Sequence, residues 1–179
     1  MKNYGTLDVD IAFGGDSFVV VDAAALGFSL APDEARDMAR AGLAIVKDAD
    51  AHIGFRHPTL QGMNSITFCL FAGPVETEND RRASRHAVAI RPGKIDRSPT
   101  GAASSAHPAL MRARGEAQIG EEVIFQSPLE SVFVARIEQE TQFGGRVAIT
   151  TSVAGRAWIT ERRQLLLDPD DPWPTGYCL

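Results

Sequence analysis

Val9, Ile11 and Phe13 alternate with Asp10 and Ala12, the period of a half-buried strand that runs into the Gly14-Gly15 pair. A second strand is predicted over Ser17 to Val21. From Pro32 to Lys47 the period lengthens, and Ala35, Met38, Ala39, Gly42, Leu43 and Val46 fall on one face of a helix. Pro32 suits its first turn, Asp33 and Glu34 its positive end, and Lys47 its negative end.

Alternation returns at Ser65 to Phe71 and again at His86 to Arg91, with a polar loop predicted between them from Gly73 to Arg85. A turn-rich stretch, Pro92 to Pro99, leads into an alanine-rich helix over Gly101 to Arg114. Five further strands are predicted at Glu122 to Gln126, Val132 to Glu140, Arg146 to Ser152, Arg156 to Thr160 and Gln164 to Leu167. Gly144-Gly145 supplies the positive φ values of a tight hairpin turn. Two helices with eight or nine strands make an α+β class, a mainly antiparallel sheet and a single domain over residues 1–179.

Composition narrows the function classes. With 18 basic against 23 acidic residues the net charge is −5, which lacks the basic footprint of a nucleic-acid binder. Arg81, Arg82 and Arg85 follow Glu76, Glu78 and Asp80, a mixture expected of a solvated loop. The two cysteines, Cys69 and Cys178, form no CxxC pair, so neither a disulfide framework nor a zinc site is expected and a reducing, cytoplasmic setting fits. The amino terminus shows no signal-peptide pattern. Asp22 and Ser29 interrupt the longest apolar stretch, Phe18 to Leu30, so no membrane span is expected.

Residues Ile95 to Ala106, IDRSPTGAASSA, run from a strand end through a turn into the second helix. Small residues at a helix start let a ligand reach unpaired amides, and the positive end favours a carboxylate or phosphate. The same residues also suit a plain helix start, with Ser98 or Thr100 as cap and Pro99 as turn residue. Elsewhere the bland reading leads. Cys69, between Phe68 and Leu70, reads as a small core residue, and Cys178 as a thiol near the terminus. His57 reads as a loop residue, while His52, His86 and His107 show no ligand spacing, so no metal is expected. Asp168, Asp170 and Asp171 read as a turn cluster, and Trp158 and Trp173 as core.

IDRSPTG followed by a small-residue helix resembles the second active-site motif of the proline racemase family, which includes proline racemases, 4-hydroxyproline epimerases and trans-3-hydroxy-L-proline dehydratases. DIAFGGDSFVVVDA, GFRHP at 54–58, SVAGRAWIT at 152–160 and the closing DPDDPWPTGY are similar in the same order. The resemblance implies a diaminopimelate-epimerase-like fold, in which two lobes, each a curved sheet around a central helix, close on a small imino acid. This chain resembles the carboxy-terminal lobe. It implies further that two thiols flank the α-carbon in the racemases and epimerases, that threonine replaces the second in the dehydratases, and that no cofactor takes part.

Mapped onto this sequence, Thr100 stands at the second catalytic position, Asp96 at the contact with the substrate amine, and Gly101 and Ala102 at the carboxylate. The pattern is thus closest to the dehydratases, and isomerase or lyase chemistry on proline or hydroxyproline is implied. Departures accompany it. The Cys-Gly-His motif of the amino-terminal lobe has no counterpart, the glycine-rich helix start is Gly101-Ala102-Ala103, and the strand over Ser65 to Phe71 lacks a histidine that epimerases tend to carry. Pro108 falls inside the helix, at a cost of about 3 kcal/mol in a helix interior, so a kinked or late-starting helix is expected. Two expectations follow: a lobe inactive alone, completed by a separate amino-terminal lobe or by self-association, or a non-catalytic lobe that binds or dimerises.

Overall fold

The computed structural model describes residues 5–78 and 81–176. The chain forms β1 (Asp10–Phe13), β2 (Ser17–Asp22), α1 (Ala35–His52), β3 (Phe68–Glu78), β4 (Arg81–Ile90), β5 (Lys94–Ile95), α2 (Gly101–Ala113), β6 (Glu122–Gln126), β7 (Val132–Phe143) and β8 (Arg146–Gly155). One sheet runs in the order β1-β2-β3-β4-β6-β7-β8, with β5 beside β4. Neighbours are antiparallel except β2 with β3 and β4 with β6, which are parallel, so the sheet is mixed.

The middle of β2, β3 and β4, at Phe18–Val21, Cys69–Phe71 and His86–Ala89, is buried on both faces because each side carries a helix. Val19, Val21, Cys69, Phe71, Ala87 and Ala89 turn toward Met38, Ala41, Ile45 and Ala49 of α1. The alternate residues Phe18, Val20, Leu70 and Val88 meet Ala103 and Ala106 of α2. This is the side-chain period of two read on both faces at once. Farther along, Met111 of α2 joins Val123, Phe125, Ala135 and Ile137 from β6 and β7. Helix α2 therefore touches β1 at one end of the sheet and β7 and β8 at the other, and the sheet curls round it as a half-barrel.

Two glycines set the helix distances. A Cβ on Gly14 would stand 2.2 Å from the Ala102 carbonyl oxygen and 2.4 Å from the Ala106 nitrogen, and one on Gly42 would stand 2.4 Å from the Ala89 Cβ. The Gly144-Gly145 turn joins β7 to β8 with φ of 57° and 75°, as its sequence requires. The turn lies over Pro58, and Phe143 meets His57, which also packs edge-on to Phe13.

Several expectations are corrected. The first helix is preceded by a short 3-10 turn, Pro32–Glu34, and runs on to His52 rather than stopping at Lys47. Gly73 to Arg85 is not a loop but the body of the β3–β4 hairpin. Arg81, Arg82 and Arg85 project from β4 to Glu122, Glu121 and Glu130, at 3.1, 2.7 and 3.6 Å. Asp80 lies outside the described residues. Helix α2 runs unbroken through Pro108 and starts at Gly101, neither late nor interrupted.

No strand forms over Arg156 to Thr160 or Gln164 to Leu167. Among the described residues no strand lies beyond β8 to accept their backbone groups, and their apolar side chains face solvent. Trp158 and Trp173 are not core residues: they are 69% and 61% exposed. Tyr177 and Cys178 lie outside the described residues.

Replacing Gly14 by alanine should force α2 off β1, because both clashing atoms are backbone. The expected loss is roughly 3 kcal/mol in denaturant unfolding. Gly62→Ala, where a Cβ meets nothing within 4 Å, should stay within about 0.5 kcal/mol.

Candidate functional site

The loop from Asp96 to Thr100 is tied down along its length. Asp96 N–H donates to the Val88 carbonyl at 2.9 Å, which continues the β5–β4 pairing. Ser127 Oγ and Ser131 Oγ, from the β6–β7 connection, both donate to the Arg97 carbonyl, at 2.8 and 2.9 Å. His86 of β4 reaches the Pro99 carbonyl through Nε2 at 2.5 Å. A carbonyl only accepts, so the ring proton sits on Nε2.

Within the loop, the Asp96 carboxylate gathers the donors. Thr100 Oγ1 donates to its Oδ2 at 2.6 Å, Ser98 N–H to its Oδ1 at 3.3 Å and Ser98 Oγ to its Oδ2 at 3.4 Å. Thr100 N–H donates in turn to Ser98 Oγ at 3.1 Å. These bonds hold Thr100 at φ 65°, a rare backbone for a β-branched residue.

No side chain caps α2, although Thr100 occupies its cap position. The Thr100 carbonyl accepts the first helical bond, from Ser104 N–H at 2.8 Å. The first-turn amides of Gly101, Ala102 and Ala103 are therefore not spent inside the helix. Gly101 is exposed, Ala102 half-buried, and nothing lies within 4 Å of where a Gly101 Cβ would stand. The structure thus brings all four expected residues together: a carboxylate at Asp96, a hydroxyl at Thr100 and open amides at Gly101 and Ala102. An anion at the amides and a cation at Asp96 would each meet the opposite charge.

His86 was not singled out by spacing, and only its reach to Pro99 reveals it. Its ring stacks on Phe125 with centroids 4.7 Å apart, and His107 of α2 stacks on the same phenylalanine at 5.3 Å. Burial, followed by the charge on His107, pushes the His86 pKa down to about 3, and burial together with Arg114 pushes that of His107 down to about 4. Both rings are neutral near pH 7. Their Nδ1 atoms and the Ser104 hydroxyl are buried without a hydrogen-bond partner.

The remaining candidates lie apart. Cys69 is buried under α1, and burial drives its thiol pKa far up, in keeping with a core role. His57 is a loop residue but a buried one, its Nδ1 accepting from Leu60 N–H at 3.0 Å. Asp168 and Asp171 shape exposed turns through bonds to nearby amides. Among the described residues no three His, Cys, Asp or Glu side chains gather as a metal site. Two open grooves of about 500 and 520 Å³ lie elsewhere and include none of the four site residues.

The family model described as Proline racemase matches residues 1–178. Among solved structures, a hydroxyproline epimerase from Agrobacterium vitis with bound trans-4-hydroxy-L-proline matches with a TM-score of 0.85 at 28% identity, over 100% of this chain and 50% of that one. A probable proline racemase from Agrobacterium radiobacter K84 with bound carbonate matches with a TM-score of 0.85 at 27% identity, over 100% of this chain and 52% of that one. The chain spans about half the length of both structures.

The two histidines make stability depend on pH. An unfolded histidine takes up a proton near pH 6.5, and these folded ones only at about 3 and 4, so the unfolded state binds more protons throughout that interval. Stability should fall as pH is lowered from about 6.5 to about 4. His107→Leu removes one of the two groups, and its thermal midpoint should decline less steeply over the same interval.

Proposed function

The chain belongs to the proline racemase family, and from that premise we propose that the Asp96–Thr100 loop and the start of α2 form one half of an imino-acid site. In this reading the substrate carboxylate lies on the Gly101 and Ala102 amides, its amine faces Asp96, and Thr100 lies against the α-carbon. Proline or a hydroxyproline has the required pair of opposite charges two bonds apart. The observation that carries the reading is the uncapped helix start: the cap residue turns its hydroxyl to Asp96 and leaves the amides open.

Thr100 in place of a thiol favours the dehydratase pattern, closest to trans-3-hydroxy-L-proline dehydratase. Its hydroxyl is too weak an acid to act as a thiolate would at neutral pH, and here it donates to a carboxylate. Cys69 is enclosed by the α1 core and does not serve. The base therefore comes from another lobe of different sequence, and residues 1–179 are inactive alone. In this reading the chemistry uses the enzyme's own side chains, without a cofactor, in a reducing compartment such as the cytoplasm.

A second reading, a non-catalytic lobe that binds or dimerises, draws on the tail after β8. Ile159, Leu165, Leu166 and Leu167 are 80–91% exposed there. An apolar stretch of this kind is ordinarily covered, and both readings expect another lobe to cover it.

Two measurements test this. On adding trans-4-hydroxy-L-proline to the labelled protein, the Gly101 and Ala102 amide signals should shift while the ligand's α-proton persists in D₂O. No shift at those amides would reject the site, and loss of the α-proton signal would show a base within the chain. In sedimentation at micromolar concentration the chain should associate, and a clean monomer would contradict the expected self-pairing.

A further inference from the structure

We infer that His86 is a positioning residue of this site, holding the Pro99–Thr100 peptide in the one orientation that presents the helix start outward. The inference rests on the reading of Thr100, Gly101 and Ala102 as substrate-facing. It goes beyond that reading by naming a residue that touches no substrate and lies outside the motifs quoted above.

The peptide between Pro99 and Thr100 is gripped at both ends. Its carbonyl accepts from His86 Nε2 at 2.5 Å, and its N–H donates to Ser98 Oγ at 3.1 Å. A peptide plane can rotate as a unit, changing ψ of the residue before it and φ of the residue after it in opposite senses. That rotation would return Thr100 from φ 65° to the negative values a β-branched residue prefers. It would also turn the Pro99 carbonyl away from the buried His86 ring, so the strained orientation persists only where something outside the loop opposes the flip. The Ser98 hydroxyl belongs to the loop and can move with it. His86 cannot, because it sits on β4, is fully buried and is stacked on Phe125 with the planes 17° apart.

Asp96 and Arg97 are held from outside as well, by Val88 and by Ser127 with Ser131, but those bonds lie before the peptide in question. His86 alone among these anchors acts at the residue where the loop becomes helix. The stack explains why a ring stands there: Phe125, shared with His107 on α2 itself, fixes the direction in which the donor points.

Two substitutions separate donor from ring. His86→Gln keeps an N–H at similar reach and loses the stack; His86→Phe keeps the stack and loses the donor. In the full chain, the Thr100, Gly101 and Ala102 amide signals should stay near their wild-type positions in His86→Gln and move in His86→Phe. The Thr100 amide should exchange faster only in the latter. Affinity for trans-4-hydroxy-L-proline should weaken about tenfold in His86→Phe and stay within about twofold in His86→Gln. Equal effects of both variants would mean that a donor at this position does not hold the peptide, and a wild-type pattern in His86→Phe, with only His86→Gln perturbed, would mean that ring packing alone matters; either overturns the inference. If the wild-type protein binds no imino acid, the functional reading fails, yet the amide signals still decide the role of His86. Should His86→Phe not fold, ¹⁵N spectra of the wild-type ring decide it: a proton on Nε2 is expected, and one on Nδ1 rejects the bond to Pro99.

Discussion

Helix α2 can be enclosed only if the sheet bends far enough for both of its ends to reach one helix. Small residues make that possible: Ala103 and Ala106 face β2 to β4, and Gly14 lets the end of β1 approach the helix backbone itself. Ion pairs from Arg114 to Asp10 and from Arg112 to Glu140 then fasten the last turn to β1 and β7. With its body held in this way, the helix can only begin where the Asp96–Thr100 loop delivers it. The direction of its first amides follows from the packing around its middle.

The parts of the fold that were legible in the sequence are those governed by local pattern. Strand β6 was read to the residue and α2 to within one, because alternation and a glycine start mark their limits. The β3–β4 hairpin was not legible. Its outward positions carry Arg81, Arg82 and Arg85, whose partners Glu122, Glu121 and Glu130 are distant in sequence, and charged residues in series read as a loop until those partners are known. The tail failed in the opposite sense: Leu165 to Leu167 have the composition of a strand, but a strand needs a neighbour, and among the described residues β8 has none beyond it.

The site shows the same division. Asp96, Thr100, Gly101 and Ala102 were picked out because they stand close in sequence and match a motif, and the structure places them side by side at the start of α2. His86 was not, since nothing in ligand spacing announces a bond to a carbonyl thirteen residues away. The eroded glycine pattern and Pro108 pointed to a displaced helix. The helix instead starts at Gly101 and runs through Pro108, because its position is set by the sheet and not by its own propensity. The proposed chemistry inherits this geometry: a dipolar molecule meets amides on one side and a carboxylate on the other, with a hydroxyl that can orient but not deprotonate. A second lobe has two tasks in this account, to supply the base and to cover the apolar tail.

A crystal structure of the chain with trans-4-hydroxy-L-proline tests the central claim most directly. The account requires the ligand's carboxylate within hydrogen-bond distance of the Gly101 and Ala102 amides and its amine beside Asp96. A ligand bound elsewhere, or a helix start that stays empty at saturating concentration, would contradict it.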